Sequence, residues 1–195
     1  MTLEEKDPFF DFLSHSRAFL ERGRQHLSRF DAEEDVASLF YAALELRMGI
    51  EARVTEYLEV ALKKLGKTPK DVSAYTASKL LAHLGRLAPD AERASTVRLV
   101  REAPRATSQF WYTPVTSELA QIHGRLGELL HYRFFVTNEN WFLRQRLRAG
   151  AKSLVDFRDL LAEAEAGLAQ ATAGTLLGHP HFTSLVSEVL DEPDE

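Results

Sequence analysis

The sequence predicts an all-α bundle of four to six helices, and three observations carry that reading. Apolar residues recur at i, i+3, i+4 and i+7 over most of the chain. Capping residues, glycines and prolines cut that pattern into helix-length pieces. Of 195 residues, 45% are apolar and 27% charged, close to ordinary globular usage. A chain of this length buries about 70% of its unfolded surface. No internal repeat, linker or composition break divides residues 1–195, so a single helical domain is expected.

The first helical stripe runs through Phe9, Phe12, Leu13, Phe19, Leu20, Leu27 and Phe30. Ser16 and Gly23 lie in it seven residues apart, small enough to admit a close neighbour helix. Asp31 and Glu34 have the form of an N-cap and its reciprocal partner, opening a long second helix to about Leu65, with Gly66 as its C′ residue. Thr68 and Pro69 begin a third, to Leu87. Residues 88–114 read as an irregular segment, in which Ser95 to Arg101 alternates and fits a short strand or a helix equally. A fourth helix starts at Thr116 or Ser117 and reaches about Val136. A fifth starts after Asn138 and either ends at about Gly150 or runs on to Ala173.

Composition excludes several classes. There is no cysteine, hence no disulfide scaffold, thiol nucleophile or thiolate metal site. No apolar run reaches the ~20 residues of a membrane span. The opening residues, Met1 to Lys6, are acidic where a signal peptide is basic and then apolar, so a cytoplasmic protein without membrane contact is expected. The net charge of −5 hides an asymmetry: Arg86 to Lys152 carries a balance of +5 and the flanks −10. A basic middle suits a nucleic-acid face; unevenly charged solvated helices give the same count.

The second helix carries charges where apolar residues are expected. With Phe40 at the centre of its stripe and ~100° per residue, Ala43, Leu44, Ile50, Val54, Leu58, Ala61 and Leu62 fall within about 80° of it. So do Arg47 and Glu51, at i, i+4 pairing distance. Glu45, Arg53, Glu56, Glu59 and Lys63 take the opposite face. Two readings compete for Arg47 and Glu51: an ion pair that fixes the register of the bundle, or the border of a binding cleft or dimer interface.

The fourth helix reads Ser117-Glu-Leu-Ala-Gln-Ile-His-Gly-Arg-Leu-Gly-Glu-Leu-Leu-His-Tyr-Arg-Phe-Phe135. Leu119, Ile122, Leu126, Leu129 and Leu130 form its core stripe, with His123 at the edge as a core histidine with one satisfied nitrogen. Arg125, Glu128, His131 and Tyr132 lie on the other side. An Arg followed after five residues by a His, late in an all-α chain of this size, resembles the HEPN superfamily. The phrase from Ile122 to His131, preceded by a long helix like Phe40 to Arg53, looks like an uncharacterised bacterial branch of it. The resemblance covers about Ala32 to Val136.

That resemblance implies metal-independent RNA cleavage of a toxin or defence type, without cofactor. His131 would serve as general base or acid, Arg125 would hold the scissile phosphate, and Glu128 would orient either. It also implies a homodimer, since in this superfamily the same helix of a second subunit often completes the site. In active members the residue after the Arg is commonly polar, whereas here it is Leu126. Arg47, Glu51 and Tyr132 are candidate binding residues, and the basic cluster Arg144, Arg146, Arg148 and Lys152 either contacts phosphates or merely solvates a helix. The other reading of Arg125, Glu128 and His131 is a surface ladder of i, i+3 pairs. The alternative function is a non-catalytic interaction or nucleotide-sensing module with a protein partner. No metal site is expected: Glu128-x-x-His131 is half of a di-iron motif whose second half is missing, and His179 and His181 have no nearby acidic or cysteine ligand.

Overall fold

Ser16 opens the first described helix of the structure, a computed structural model that describes residues 15–66, 77–87, 95–100, 107–130, 150 and 153–171. This helix, α1, spans Ser16–Glu33. His15 precedes it in an extended conformation and its side chain makes no cap. Instead, the Ser16 N–H and hydroxyl both donate to Oε1 of Glu56, at 3.0 and 2.6 Å. A carboxylate from another helix thus sits at the positive end of α1. Phe19, Leu20, Gly23 and Leu27 bury its inner face, as the stripe requires; Phe9, Phe12 and Leu13 lie outside the described residues.

The break after α1 falls later than Asp31. Glu34 takes the left-handed conformation (φ 55°) and its N–H reaches back to the Phe30 carbonyl. Asp35, not Asp31, then caps the second helix, accepting from the Ala37 N–H at 3.1 Å and the Ser38 hydroxyl at 2.8 Å. Asp31 remains in α1 and accepts from both Nε and Nη2 of Arg158, at 2.9 and 2.7 Å.

The second helix, α2, spans Val36–Lys64, about 43 Å at ~1.5 Å per residue. It packs against every other described helix, so its apolar arc is broad. Leu39, Ala42, Ala43, Leu46, Ile50, Val54, Tyr57, Leu58, Ala61 and Leu62 are all buried. The centre of that arc lies near Leu46 and Ile50, about a quarter turn from Phe40. The consequences are visible at both edges. Leu44 is 46% exposed, whereas Arg53, expected to face water, retains 4%. Antiparallel to α2, α1 comes close where side chains are small: a Cβ on Gly23 would stand 2.9 Å from the Leu46 side chain.

The third helix, α3, spans Ala77–Leu87 and buries Ala77, Leu80, Leu81 and Leu84; its expected start at Thr68-Pro69 lies outside the described residues. Part of the segment read as irregular is ordered. Strands β1 (Ser95–Val100) and β2 (Thr107–Tyr112) form an antiparallel hairpin in which Ser95 pairs with Tyr112 and Val100 with Thr107. Thr96, Val97 and Val100 are β-branched, and Phe110-Trp111-Tyr112 is aromatic. Both residue types favour extended backbone.

The fourth helix, α4, spans Ser117–Leu130. Thr116 caps it, its hydroxyl accepting from the Leu119 N–H at 3.2 Å. The last helix, α5, spans Leu154–Gln170, so of the two extents expected for the fifth helix the longer one, unbroken to Ala173, is not formed. Gly150 has φ +75°, and Ser153 with Asp156 forms a capping box. That box exchanges bonds of 3.1 and 2.8 Å, so a new helix begins there. Against α1 it runs antiparallel, through Arg24–Glu165 and Arg158–Asp31. One buried apolar cluster draws residues from all five helices. Among the described residues the body is therefore an all-α bundle, and none of its helices is long and apolar enough to cross a membrane.

Candidate functional site

Two charged clusters stand out, on opposite faces of α4. The first lies at the seam with α2. Glu51 and Arg47 face α4 at the edge of the buried arc, and α4 answers with His123 and Gly127 at the matching spacing of four. The His123 ring is 3% exposed, and its Nε2–H donates to Oε1 of Glu51 at 2.6 Å. The carboxylate acceptor assigns the proton to that nitrogen. Arg47 Nη2 reaches the same oxygen at 3.2 Å. The side chains of Arg47 and Glu51 are 26% and 19% exposed, so the pair is largely shielded. Room for the Arg47 stem comes from Gly127, where a Cβ would stand 3.4 Å from Arg47 Nε. That Nε is buried without a hydrogen-bond partner.

A second feature of α2 is absent from the sequence reading. Arg53 lies beneath the start of α1, its Nε 3.6 Å from Oε2 of Glu56. The same carboxylate holds Ser16 through its other oxygen. Arg53 Nε and Nη1 are buried without hydrogen bonds, a cost that the nearby carboxylate offsets only partly. Correct placement of the apolar arc would have exposed this pair, since Arg53 falls inside it.

Arg125 forms the second cluster. Two residues beyond His123, it sits about 200° around α4 and turns to α5. Its side chain is 39% exposed, with Nη1 3.8 Å from Oε2 of Glu163. Gly150 closes its other edge: a Cβ there would stand 3.0 Å from Nη2 and 3.7 Å from Cζ and Nε. Neither Glu163 nor Gly150 was singled out from the sequence. Glu128, half-buried on α4, forms no ion pair with Arg125, which meets Glu163 across helices instead; the Glu128–His131 half of the alternative ladder lies outside the described residues. His131, Tyr132, Arg144, Arg146 and Arg148 lie outside the described residues.

Away from α4, the shifted carboxylates are local to helix ends. Hydrogen bonding to Arg158 lowers Asp31 below the ordinary carboxylate range and raises Arg158 in return. The Ser38 hydroxyl, helped by the Ala37 N–H, lowers Asp35. Among the described residues no three His, Asp or Glu side chains converge as a metal site would require. No protein-family model, curated protein or solved structure matches the chain.

Proposed function

We propose that the protein is a HEPN-like ribonuclease of toxin or defence type, acting as a homodimer, with Arg125 and His131 as its working residues. The observation that supports this reading is the setting of Arg125. Its guanidinium is partly open to solvent at the α4–α5 edge, beside Gly150 and within 3.8 Å of the Glu163 carboxylate. The opposite face of α4 is tied down by the His123–Glu51 bond, which suits a helix that must present a cation outward.

The chemistry follows from the residue types. A base removes the 2′-hydroxyl proton, the resulting oxygen attacks the neighbouring phosphorus, and the 5′-oxygen leaves with a proton, giving a 2′,3′-cyclic phosphate. His131 exchanges protons in this sequence because imidazole titrates near neutrality. Arg125 stabilises the charge gathering on the equatorial oxygens, and Glu128 orients one of the two.

Purified protein incubated with total RNA in EDTA tests the reading. Cleavage by wild type and loss in both Arg125→Ala and His131→Ala is the expected result. Intact RNA in every lane would favour the second reading, a non-catalytic interaction module. Exposed Val36 and Leu44 on α2, with Leu154 and Val155 at the start of α5, favour that alternative, because large apolar side chains left in water often mark partner surfaces.

A further inference from the structure

Arg53 is the most deeply buried arginine among the described residues, its side chain 5% exposed. Its Nε stands 3.6 Å from Oε2 of Glu56, beyond hydrogen-bonding distance, and its Nη1 is buried with no acceptor. Nε and Nη1 donate from different edges of the planar guanidinium, so one carboxylate cannot serve both. Glu56 is also held towards α1, because the Ser16 N–H and hydroxyl both bind its other oxygen, at 3.0 and 2.6 Å. Two donors of a charged group are thus buried without acceptors, a cost that an apolar side chain of similar length would avoid.

We propose that Arg53 binds a monatomic halide, chloride above all, on its Nη1 edge beneath the start of α1. Three properties of the place select that ligand. A guanidinium has donors and no acceptor, so what it binds must accept. The charge there favours an anion over water: Arg53 carries a full positive charge, and the start of the 18-residue α1, uncapped by the His15 side chain, adds about half of one. Against these stands the Glu56 carboxylate, which is already committed to Ser16. Size selects the halide, since a side chain 5% exposed admits one ion more readily than a phosphate or a carboxylic acid. The bound ion would join the start of α1 to the middle of α2, so the docking of α1 becomes linked to chloride concentration. Nothing in this inference depends on the ribonuclease reading.

The test is thermal unfolding of the whole chain in a sodium chloride series, with sodium gluconate holding the ionic strength constant. Wild type, Arg53→Met and Arg29→Met are compared; Arg29, 59% exposed on α1, controls for ions gathered at surface arginines. Wild-type Tm should rise by about 3–6 °C per tenfold of chloride above its dissociation constant. Arg29→Met should keep that slope and Arg53→Met should lose it. Chloride NMR reads the ion directly: folded wild type should broaden the resonance, and added bromide should reverse the broadening. That second measurement needs no variant, so it decides the matter even if Arg53→Met does not fold. A slope or broadening that depends on Arg53 supports the inference. A flat wild-type Tm without broadening overturns it, as does an equal slope in Arg53→Met. A lower Tm for Arg53→Met beside a flat wild type overturns it too, and leaves water and Glu56 as sufficient partners.

Discussion

His123 donates to Glu51 at 2.6 Å across 72 residues of sequence, and the same carboxylate oxygen also faces Arg47 at 3.2 Å. One oxygen therefore joins α2 to α4 and sets both the rotation and the register of α4. A largely shielded carboxylate between two donors is stable only while both remain.

Glu51→Ala should accordingly cost about 2 kcal/mol, since it strands the His123 ring and a shielded guanidinium. Glu51→Gln retains an acceptor for His123 and should lose about half as much. Urea unfolding with an unchanged m-value would measure both. A loss below about 0.5 kcal/mol in Glu51→Ala would show the triad to be energetically idle.

The glycines divide by what surrounds them. A Cβ on Gly49 would stand 2.6 Å from Leu168 Cδ2 and 3.1 Å from Phe19 Cβ, where α1, α2 and α5 meet. Gly49→Ala should destabilise by about 1–3 kcal/mol through overpacking. Among the described residues, and apart from their own helix backbone, Gly85 and Gly124 have no atom within 4 Å of such a Cβ. Alanine at either should stabilise its helix by about 0.5–1 kcal/mol. Thermal melts of the three variants should move in opposite directions; a common direction would contradict the packing described.

Gly150→Ala should cost about 1–2 kcal/mol from the left-handed backbone, and Gly150→Asn distinctly less, because asparagine tolerates that region. A neutral result for alanine would mean that the turn adopts another conformation in solution.

Acid sensitivity follows from two depressed carboxylates. Asp31 and Asp35 both sit below their ordinary value of 3.8 in the folded chain. Their stabilising contribution is complete above the unfolded value and disappears as pH falls through the folded one. Asp31→Asn and Asp35→Asn should therefore lower Tm at neutral pH and converge on wild type once pH has fallen through the depressed folded values. Because Asp31 is half-exposed and Asp35 a third exposed at a helix end, the neutral-pH losses should be small. A gap that persists or widens in acid would reverse the assigned sign.

Much of the fold was legible because periodicity reports how a helix is amphipathic. The stripes of α1 and α4 agree with the buried faces where they are described, and Ser16 and Gly23 lie at a close crossing as their size suggests. Periodicity failed on α2 for a physical reason: a helix packed on four sides has no single stripe, so the choice of Phe40 as centre displaced Arg53 to the wrong face. The Ser153–Asp156 box was present in the sequence, but the apolar pattern alone left open whether a helix stops at Gly150 or runs through it. For the candidate site, the pairing of Arg47 with Glu51 could be read from a spacing of four. Its third member could not, since helical spacing tells which way His123 points and says nothing about the helix it meets. Glu163 opposite Arg125 and Asp31 opposite Arg158 are hidden for the same reason.

Every other described helix rests on α2, which makes the middle of that helix the place where local opening is hardest. Amides from Leu46 to Val54 cannot meet solvent by fraying at either end of a 29-residue helix, nor by the departure of one neighbour. Their hydrogen exchange should proceed only through global unfolding, so those protons would read out the free energy of the whole bundle. Amides near Ser117 and Gln170, at helix ends, should exchange through smaller openings and stay blind to most core substitutions.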